Sequence, residues 1–95
     1  MTRAELKKFD LPDEPGVYFF KKGRKILYIG KAASLRDRVR SYFSADLMSG
    51  RGPSIVKMAE EADAVDFQTT DSVLEALILE ANLIKKHQPP YNAMA

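Results

Sequence analysis

The chain has 95 residues, with 15 Lys and Arg against 13 Asp and Glu, and it contains no cysteine. A chain of this length is expected to form one domain with one core. The lack of cysteine excludes disulfides and thiolate zinc sites. No stretch is apolar enough for a membrane helix, and the N-terminus lacks the apolar segment of a signal peptide. We therefore predict a soluble, cytoplasmic domain with no membrane partner.

The positive charge is concentrated in the first half of the chain. Residues 1–42 hold eleven basic and five acidic side chains, whereas residues 43–95 hold four and eight. Clustered cations suit contacts with a phosphate backbone, which position a nucleic acid without reading its sequence. Such charges are often only solvated, so this evidence is weak by itself. The predicted DNA-binding residues are Lys21, Lys22, Arg24, Arg36 and Arg40.

Two β-strands are the first regular elements in chain order. Residues 17–20 and 26–29 are β-branched and aromatic, and a polar segment separates them, which predicts an antiparallel hairpin. If the register pairs Tyr18 with Tyr28, both hydroxyls lie on the same face of the sheet. Tyrosines in strands are ordinarily packing residues, so a catalytic role for this pair needs support from another part of the chain.

A helix over residues 34–43 follows, with a serine as its N-cap. Its apolar stripe consists of Leu35, Val39 and Phe43. Arg38 and Tyr42 are four residues apart on the flank of this stripe and are therefore neighbours. Arg36 and Arg40 form a second row that points farther out. We expect the first row to build a site and the second row to contact a partner.

Three further elements follow a loop that is rich in glycine and serine. They are a helix over residues 54–61 with Ser54 as N-cap, a strand over 64–69 and a helix over 72–86. Pro89 and Pro90 are expected to end the last helix and to begin an extended tail. The predicted fold class is α+β: a small three-stranded antiparallel sheet flanked by helices, with one domain over residues 1–95 and a core at about 11–92.

Glu80 is the most unusual residue of the last helix. Ser72 precedes Glu75 by three residues, as in a capping box. A helical projection places six apolar residues on one broad face: Val73, Leu74, Ala76, Leu77, Ala81 and Ile84. Glu80 falls inside this sector, where a carboxylate costs several kcal/mol unless it is hydrogen-bonded, paired or bound to a metal. The alternative is a glutamate at the edge of the stripe that reaches solvent or an arginine.

Five ordered blocks of the sequence resemble the GIY-YIG nuclease superfamily. They are residues 15–18, 28–32, 35–42, 75–86 and 90–92, which read PGVY, YIGKA, LRDRVRSY, EALILEANLIKK and PYN. Within that superfamily the chain resembles most closely the N-terminal endonuclease domain of the UvrC family of nucleotide excision repair, over about residues 11–92. One short tripeptide would be weak evidence, whereas five blocks at compatible spacing are a specific signal.

The resemblance implies a metal-dependent DNA endonuclease that hydrolyses a phosphodiester bond on the 3′ side of a lesion. It implies Glu80 as the ligand of one Mg²⁺, or of Mn²⁺ in its place, and Mg²⁺ is commonly held by only one or two carboxylates. Gly16 and Gly30 are expected to permit close backbone approach. The catalytic residues implied by the resemblance are Tyr18, Tyr28, Lys31, Arg38, Tyr42 and Asn92.

The implied roles follow from the chemistry of these side chains. Arg38 stays charged and can donate to a phosphate, with Lys31 as a second cation. A tyrosine can act as a base only if positive charge lowers its pKa from about 10 or a metal-bound hydroxide relays the proton. Whether Tyr18 or Tyr28 is that base stays open. Tyr42 is expected to order the network, and Asn92 to form a hydrogen bond within the wall of the site.

Two other functions compete with incision in repair. One is a stand-alone GIY-YIG nuclease that acts on branched or flapped DNA. The other is a non-catalytic module that binds DNA through the hairpin tip and the helix face. The expected partners are DNA and either damage-recognition subunits or fused DNA-binding domains, and the isolated domain is expected to be monomeric.

Overall fold

A computed structural model describes residues 1–44 and 50–94 of the chain. The elements of these ranges are, in order, α1 (Arg3–Leu6), β1 (Gly16–Lys22), β2 (Lys25–Ala32), α2 (Leu35–Ser41), α3 (Pro53–Glu61), β3 (Ala64–Thr69), α4 (Val73–His87) and α5 (Pro90–Met94). The strands form one antiparallel sheet in the order β2–β1–β3. The predicted α+β class and the three-stranded sheet are therefore confirmed. Residues 45–49 of the predicted loop lie outside the described ranges.

The register of the hairpin differs from the one considered above. Tyr18 lies opposite Gly30, and Tyr28 lies opposite Phe20, so the two tyrosines are not directly paired. The displacement is two residues, and side chains alternate along a strand with a period of two. Both tyrosines therefore still face the same side of the sheet. The correction changes their separation and leaves their shared face intact.

The sheet carries a core on each of its two faces. The face with Tyr18, Tyr28 and Phe20 packs against residues of α2, α3 and the N-terminal segment, and we call it the tyrosine side. The other face carries Val17 and Ile29 and packs against α4; we call it the carboxylate side. Leu35, Val39 and Met58 are fully buried on the tyrosine side. This core therefore fixes the position of α2 against β1 and β2.

The face that helix α4 turns to the sheet overlaps only partly with the predicted one. Its buried face consists of Ala76, Leu79, Leu83 and Ile84. Val73, Leu74, Leu77 and Ile78 remain 45 to 65% exposed. The prediction was right for Ala76 and Ile84 and wrong for Val73, Leu74 and Leu77, because this helix is apolar over most of its circumference and a projection offers more than one apolar face. The sheet packs against the face that contains the small Ala76, and this leaves Glu80 at the border between packed and exposed surface.

Most helix starts follow the predicted capping chemistry. The Ser34 hydroxyl accepts from the Asp37 N–H at the start of α2, and the Ser72 hydroxyl accepts from the Glu75 N–H at the start of α4. The Glu75 carboxylate accepts from the N–H of Asp71 instead of closing a capping box on Ser72. Helix α3 departs from the prediction, because it begins at Pro53 and its serine is not the N-cap.

The two ends of the chain contain short helices that the sequence did not predict. Helix α1 is held by a capping box between Thr2 and Glu5. The tail after the two prolines is helical over Pro90–Met94 and not extended, because proline is well suited to the first turn of a helix. None of the helices in residues 1–44 and 50–94 is long and apolar enough to cross a membrane.

Candidate active site

Three tyrosines meet on the tyrosine side of the sheet. The hydroxyls of Tyr18 and Tyr42 are 2.6 Å apart and share one hydrogen bond. The Tyr42 ring also packs edge-on against Tyr28, with 6.4 Å between ring centroids, and against Phe20 at 5.0 Å. Tyr18 and Tyr42 are buried, whereas Tyr28 is half-buried. The cluster therefore has a rigid interior and one member near the surface.

Gly30 explains how Tyr18 reaches this position. A Cβ atom built on Gly30 would overlap the ring and hydroxyl of Tyr18, which lies across the neighbouring strand. Gly16 is also sterically required, because its Cβ would collide with the carbonyl oxygen of Gln68 on β3. Neither glycine has a positive φ. Both are needed for close approach and not for backbone conformation.

Burial keeps the tyrosines protonated at neutral pH. Loss of solvation raises the pKa of Tyr18, of Tyr42 and of Tyr28, the last to about 12. For Tyr28, the neighbouring Tyr42 and the Glu80 carboxylate raise the pKa further, while Arg38 lowers it. A phenol in this state is a hydrogen-bond donor and a poor base. Additional positive charge is required before one of these tyrosines can accept a proton.

Arg38, Lys31 and Glu80 lie beside the tyrosine cluster. The Glu80 carboxylate pairs with the Lys31 ammonium at 3.8 Å, and its side chain is only 18% exposed. Lys31 and Arg38 line one cleft of about 270 Å³, together with Ala32, Ala33 and Val73. Because Lys31 lies opposite Val17 in the register, it projects to the carboxylate side, whereas the tyrosines project to the other face. The candidate site therefore lies around β2 and contains side chains from both faces of the sheet.

Asn92 contacts the outer edge of β2 from α5. Its side-chain oxygen accepts from the Ile29 N–H and its side-chain nitrogen donates to the Ile29 carbonyl, both at 2.9 Å. An edge strand has unpaired backbone groups, and this amide satisfies two of them. Ile29 lies between Tyr28 and Gly30 in the strand. Asn92 thus fixes the backbone of β2 beside the site. Among the described residues, it makes no hydrogen bond to the tyrosine cluster.

The donor set fits a hard divalent cation. No group of three or more His, Cys, Asp or Glu side chains converges within the described residues. Glu80 is the carboxylate that pairs with Lys31, a residue of the cleft, and one carboxylate can hold Mg²⁺ when water and phosphate oxygens complete its octahedron. Its side chain reaches the surface and has Lys31 as its partner in a weak, half-exposed ion pair. A cation can replace that partner at little energetic cost.

The predicted DNA-binding residues divide into two groups. Lys21 pairs with Asp66 at 3.5 Å, and Arg36 pairs with Asp13 and Asp37 at 3.3 and 3.2 Å. The other three make no ion pair with the described part of the chain: Lys22, Arg24 and Arg40. The hairpin tip lies at the end of β1 and β2 remote from Lys31, about 20 Å along the strand at the usual rise per residue. The structure therefore does not bring the hairpin tip into the cleft.

Arg51 is a site residue that sequence reasoning missed. Its guanidinium carbon lies 4.0 Å from the centre of the Tyr42 ring, and it donates to the Ser41 hydroxyl at 2.9 Å. The residue lies between two glycines in a loop, where no helical or strand periodicity operates. The sequence therefore contained no signal for this contact, and only the tertiary packing of the loop against α2 creates it.

Comparison with known proteins gives a consistent family match. The model of the UvrC-like GIY-YIG domain family matches residues 14–93. UvrABC system protein C of Haloarcula marismortui is 58% identical over 86 residues, which are 86% of this chain and 14% of that protein. The Thermus thermophilus protein of the same name is 52% identical over 84 residues, or 88% of this chain and 13% of that protein. The chain thus spans about one seventh of the length of these relatives.

Solved structures match over almost the whole chain. The GIY-YIG N-terminal endonuclease domain of UvrC from Thermotoga maritima, bound to magnesium as its catalytic divalent cation, superposes with a TM-score of 0.80 at 41% identity. The match covers 96% of this chain and 98% of that domain. A point mutant of that domain, with one tyrosine replaced by phenylalanine and the cation bound, gives the same TM-score at 40% identity, covering 96% of this chain and 97% of that one.

Proposed function

This chain belongs to the UvrC-like GIY-YIG domain family, and we propose that it is a divalent-metal-dependent DNA endonuclease that makes the 3′-side incision of nucleotide excision repair. One observation carries the proposal. A half-buried carboxylate, Glu80, and two cations, Lys31 and Arg38, meet a cluster of protonated tyrosines around the end of a single strand. This set can bind a phosphate, hold a cation and orient a water molecule.

The two cations are suited to the scissile phosphate. Arg38 can present two parallel N–H donors to phosphate oxygens and keeps its charge at every relevant pH. Lys31 lines the same cleft as a compact second charge. When DNA and a cation enter, we propose that the Lys31 ammonium leaves Glu80 and donates to a phosphate oxygen. Both cations then face the charge that develops on the phosphate in the transition state.

Glu80 is the residue proposed to hold Mg²⁺, and Mn²⁺ in its place. A bound divalent cation supplies a Lewis acid for the phosphate and its leaving oxygen. The Thermotoga maritima domain retains its cation when a tyrosine is replaced by phenylalanine. This agrees with a carboxylate, and not a phenol, as the protein ligand in this chain.

The different burial of the two strand tyrosines supports a different role for each. Tyr18 is buried and engaged with Tyr42, so it is suited to orienting hydrogen bonds. Tyr28 is half-buried, and the charges of both Glu80 and Arg38 affect its pKa. We propose Tyr28 as the group that contacts the attacking water. Burial, and to a lesser degree Tyr42 and the Glu80 carboxylate, raise its pKa, so it would act as a base only if positive charge were brought close to it.

The test is cleavage of end-labelled DNA by this chain alone. Nicked, flapped, bubble and lesion-bearing duplexes are incubated with Mg²⁺, with Mn²⁺ and with a chelator. We expect metal-dependent nicking that is slow on intact duplex and faster on DNA that is already distorted. Failure to cut any substrate, while Mg²⁺ still binds, would overturn the proposed activity and favour a non-catalytic DNA-binding module. Preference for flaps over lesions would favour a stand-alone nuclease that acts on branched DNA.

The proposed partners and state follow from the same surface. Three of the predicted cations are free of ion pairs among the described residues, and two are already paired, so the isolated chain should bind duplex weakly. Non-specific binding on the order of 10⁻⁴ to 10⁻⁶ M at physiological salt is the expectation. We propose that efficient incision in the cytoplasm needs a damage-recognition subunit or a fused DNA-binding domain. We also propose that the isolated domain is monomeric.

A further inference from the structure

Arg51 is anchored against the C-terminal turn of α2 by two contacts. Its guanidinium lies over the Tyr42 ring, 4.0 Å from carbon to ring centre. One guanidinium nitrogen donates to the Ser41 hydroxyl at 2.9 Å, and that hydroxyl donates to the Arg38 carbonyl at 2.5 Å. A cation this close to an aromatic face is attracted by the ring quadrupole, most strongly where water is excluded. The guanidinium therefore restrains both the Tyr42 ring and the turn that carries Arg38.

Tyr42 is the central member of the tyrosine cluster, which consists of Tyr18, Tyr28 and Tyr42. It is fully buried, shares the 2.6 Å hydrogen bond with Tyr18, and packs against the Tyr28 ring. The bond lowers the pKa of Tyr18 and raises that of Tyr42, so Tyr42 is the donor when Tyr18 carries negative charge. Movement of the Tyr42 ring would therefore alter the hydrogen bond to Tyr18 and the packing of the Tyr28 ring.

Two arginines bracket this pair of hydroxyls. Arg38 lies beside Tyr18, and Arg51 lies over Tyr42. Burial raises the pKa of Tyr42, and the charges of Arg51 and Arg38 act in the opposite direction. The titratable and charged groups around Tyr42 are Tyr18 from β1, Tyr28 from β2, Arg38 from α2 and Arg51. Positive charge over the ring makes the Tyr42 hydroxyl a stronger donor to Tyr18.

We propose that Arg51 is a positioning residue of the nuclease site: it fixes the Tyr42 ring and with it the hydrogen bond that the Tyr42 and Tyr18 hydroxyls share. The inference rests on the proposed endonuclease function, and it extends the site to a residue beyond the five family-like blocks. Arg51 acts through Tyr42 and does not need to touch DNA. An alternative is direct contact with a DNA phosphate, because Arg51 and Arg38 also line a cleft of about 370 Å³. The two roles predict different kinetics.

The kinetic test compares Arg51→Met, Arg51→Lys and Arg3→Ala in the full chain, with a flapped duplex and Mg²⁺. Methionine keeps apolar volume but removes the charge, lysine keeps the charge, and Arg3 is an exposed arginine of α1 used as control. We expect Arg51→Met to lower kcat about tenfold, the scale of a supporting residue, with KM unchanged. We expect Arg51→Lys to recover most of the rate and Arg3→Ala to match the original chain.

A further readout separates positioning from general loss of structure. In a Tyr42→Phe background, Arg51→Met should have no additional effect on kcat. An increase in KM with unchanged kcat and a reduced salt dependence would overturn positioning and assign Arg51 to a DNA phosphate. Equal losses in the two backgrounds would also overturn it.

The last readout does not depend on catalysis. The proton in the short Tyr18–Tyr42 hydrogen bond is expected to give a downfield proton NMR signal in the chain without DNA or metal. Arg51→Met should move that signal upfield, whereas Arg51→Lys and Arg3→Ala should leave it in place. If the chain cuts no DNA but the signal moves as described, the proposed function fails and the Arg51–Tyr42 coupling stands. An unmoved signal in Arg51→Met overturns the coupling.

Discussion

The tyrosine side and the carboxylate side of the sheet contribute to one site in different ways. On the tyrosine side, Tyr18 and Tyr42 are buried, hydrogen-bonded to each other and surrounded by other rings. On the carboxylate side, Glu80 lies at the border of α4 with one partner, a half-exposed lysine at 3.8 Å. Packing thus fixes the groups proposed to orient substrate, whereas the carboxylate proposed to bind a cation has a single, half-exposed ion-pair partner. The predictions below test this division, beginning with the largest expected effect.

Glu80→Gln should abolish cleavage and leave DNA affinity nearly unchanged. The substitution removes the negative charge that holds a divalent cation but preserves the shape of α4 and the cationic surface. Cleavage of a flapped duplex and binding by fluorescence anisotropy are measured in parallel. Glu60→Gln, at an exposed position of α3, is the matched control. Full activity in Glu80→Gln would show that Glu80, and with it the carboxylate side, is not needed for cleavage.

Tyr18→Phe and Tyr28→Phe should each lower turnover by about 10²-fold or more, the usual scale of acid–base assistance. The two variants should differ in stability. Loss of the Tyr18 hydroxyl leaves the buried Tyr42 hydroxyl without its partner, which is expected to cost about 1–3 kcal/mol. Tyr28 makes no such bond among the described residues, so urea unfolding of Tyr28→Phe should stay close to that of the original chain. Unchanged rates in both variants would show that the two tyrosines serve only as packing residues of the core.

The two faces of α4 should respond differently to truncation. Leu83 packs on the carboxylate side, whereas Leu77 is 45% exposed. Leu83→Ala should therefore lower the free energy of unfolding by about 2 kcal/mol, near the lower end for a packed leucine. Leu77→Ala should change it by no more than about 0.5 kcal/mol. Chemical denaturation measures both effects. If the predicted face of α4 were the packed one, Leu77→Ala would be more destabilising than Leu83→Ala.

Stability should also decline at alkaline pH in a way that depends on Tyr28. Its pKa in the folded chain is about 12, mainly because of burial, against about 10 when unfolded. The stabilising contribution is therefore complete below pH 10 and is lost as the pH rises from 10 towards 12, where the unfolded chain ionises first. Urea unfolding from pH 8 to 11 should show a smaller decline in Tyr28→Phe. An identical decline would mean that the Tyr28 hydroxyl is solvated in the folded chain.

The smallest predicted effect concerns the outer row of α2. Arg40→Ala should weaken DNA binding similarly for all sequences and reduce the salt slope by about one unit. Arg36→Ala should have a smaller effect, because Arg36 already pairs with Asp13 and Asp37. Fluorescence anisotropy at several salt concentrations measures both. Equal effects would show that DNA displaces the two carboxylates, and a sequence-dependent loss would indicate base contacts.

The sequence by itself determined the three strands and the three longer helices, because these elements depend on local chemistry, but it did not indicate the short helices α1 and α5. Alternation of apolar and polar residues predicted the hairpin and β3, and serines at residues 34 and 72 marked the starts of α2 and α4. The resemblance to the GIY-YIG superfamily implied that Tyr18, Tyr28, Arg38 and Glu80 form one group, and the structure places them near the end of β2. The prediction that the two tyrosines share a face was correct although the register was not, because a displacement of two residues leaves a side chain on the same face of the sheet.

Only the tertiary structure decided which face of α4 is buried and which residues complete the site. Helix α4 is apolar over most of its surface, so the choice of face depends on the shape of the sheet that it meets. Arg51 reaches Tyr42 across a loop, and Asn92 reaches Ile29 from a helix 63 residues farther along the chain. Periodicity describes neighbours within an element. It contains no information on which loop or terminus will later fold against that element, and this is set by packing in three dimensions.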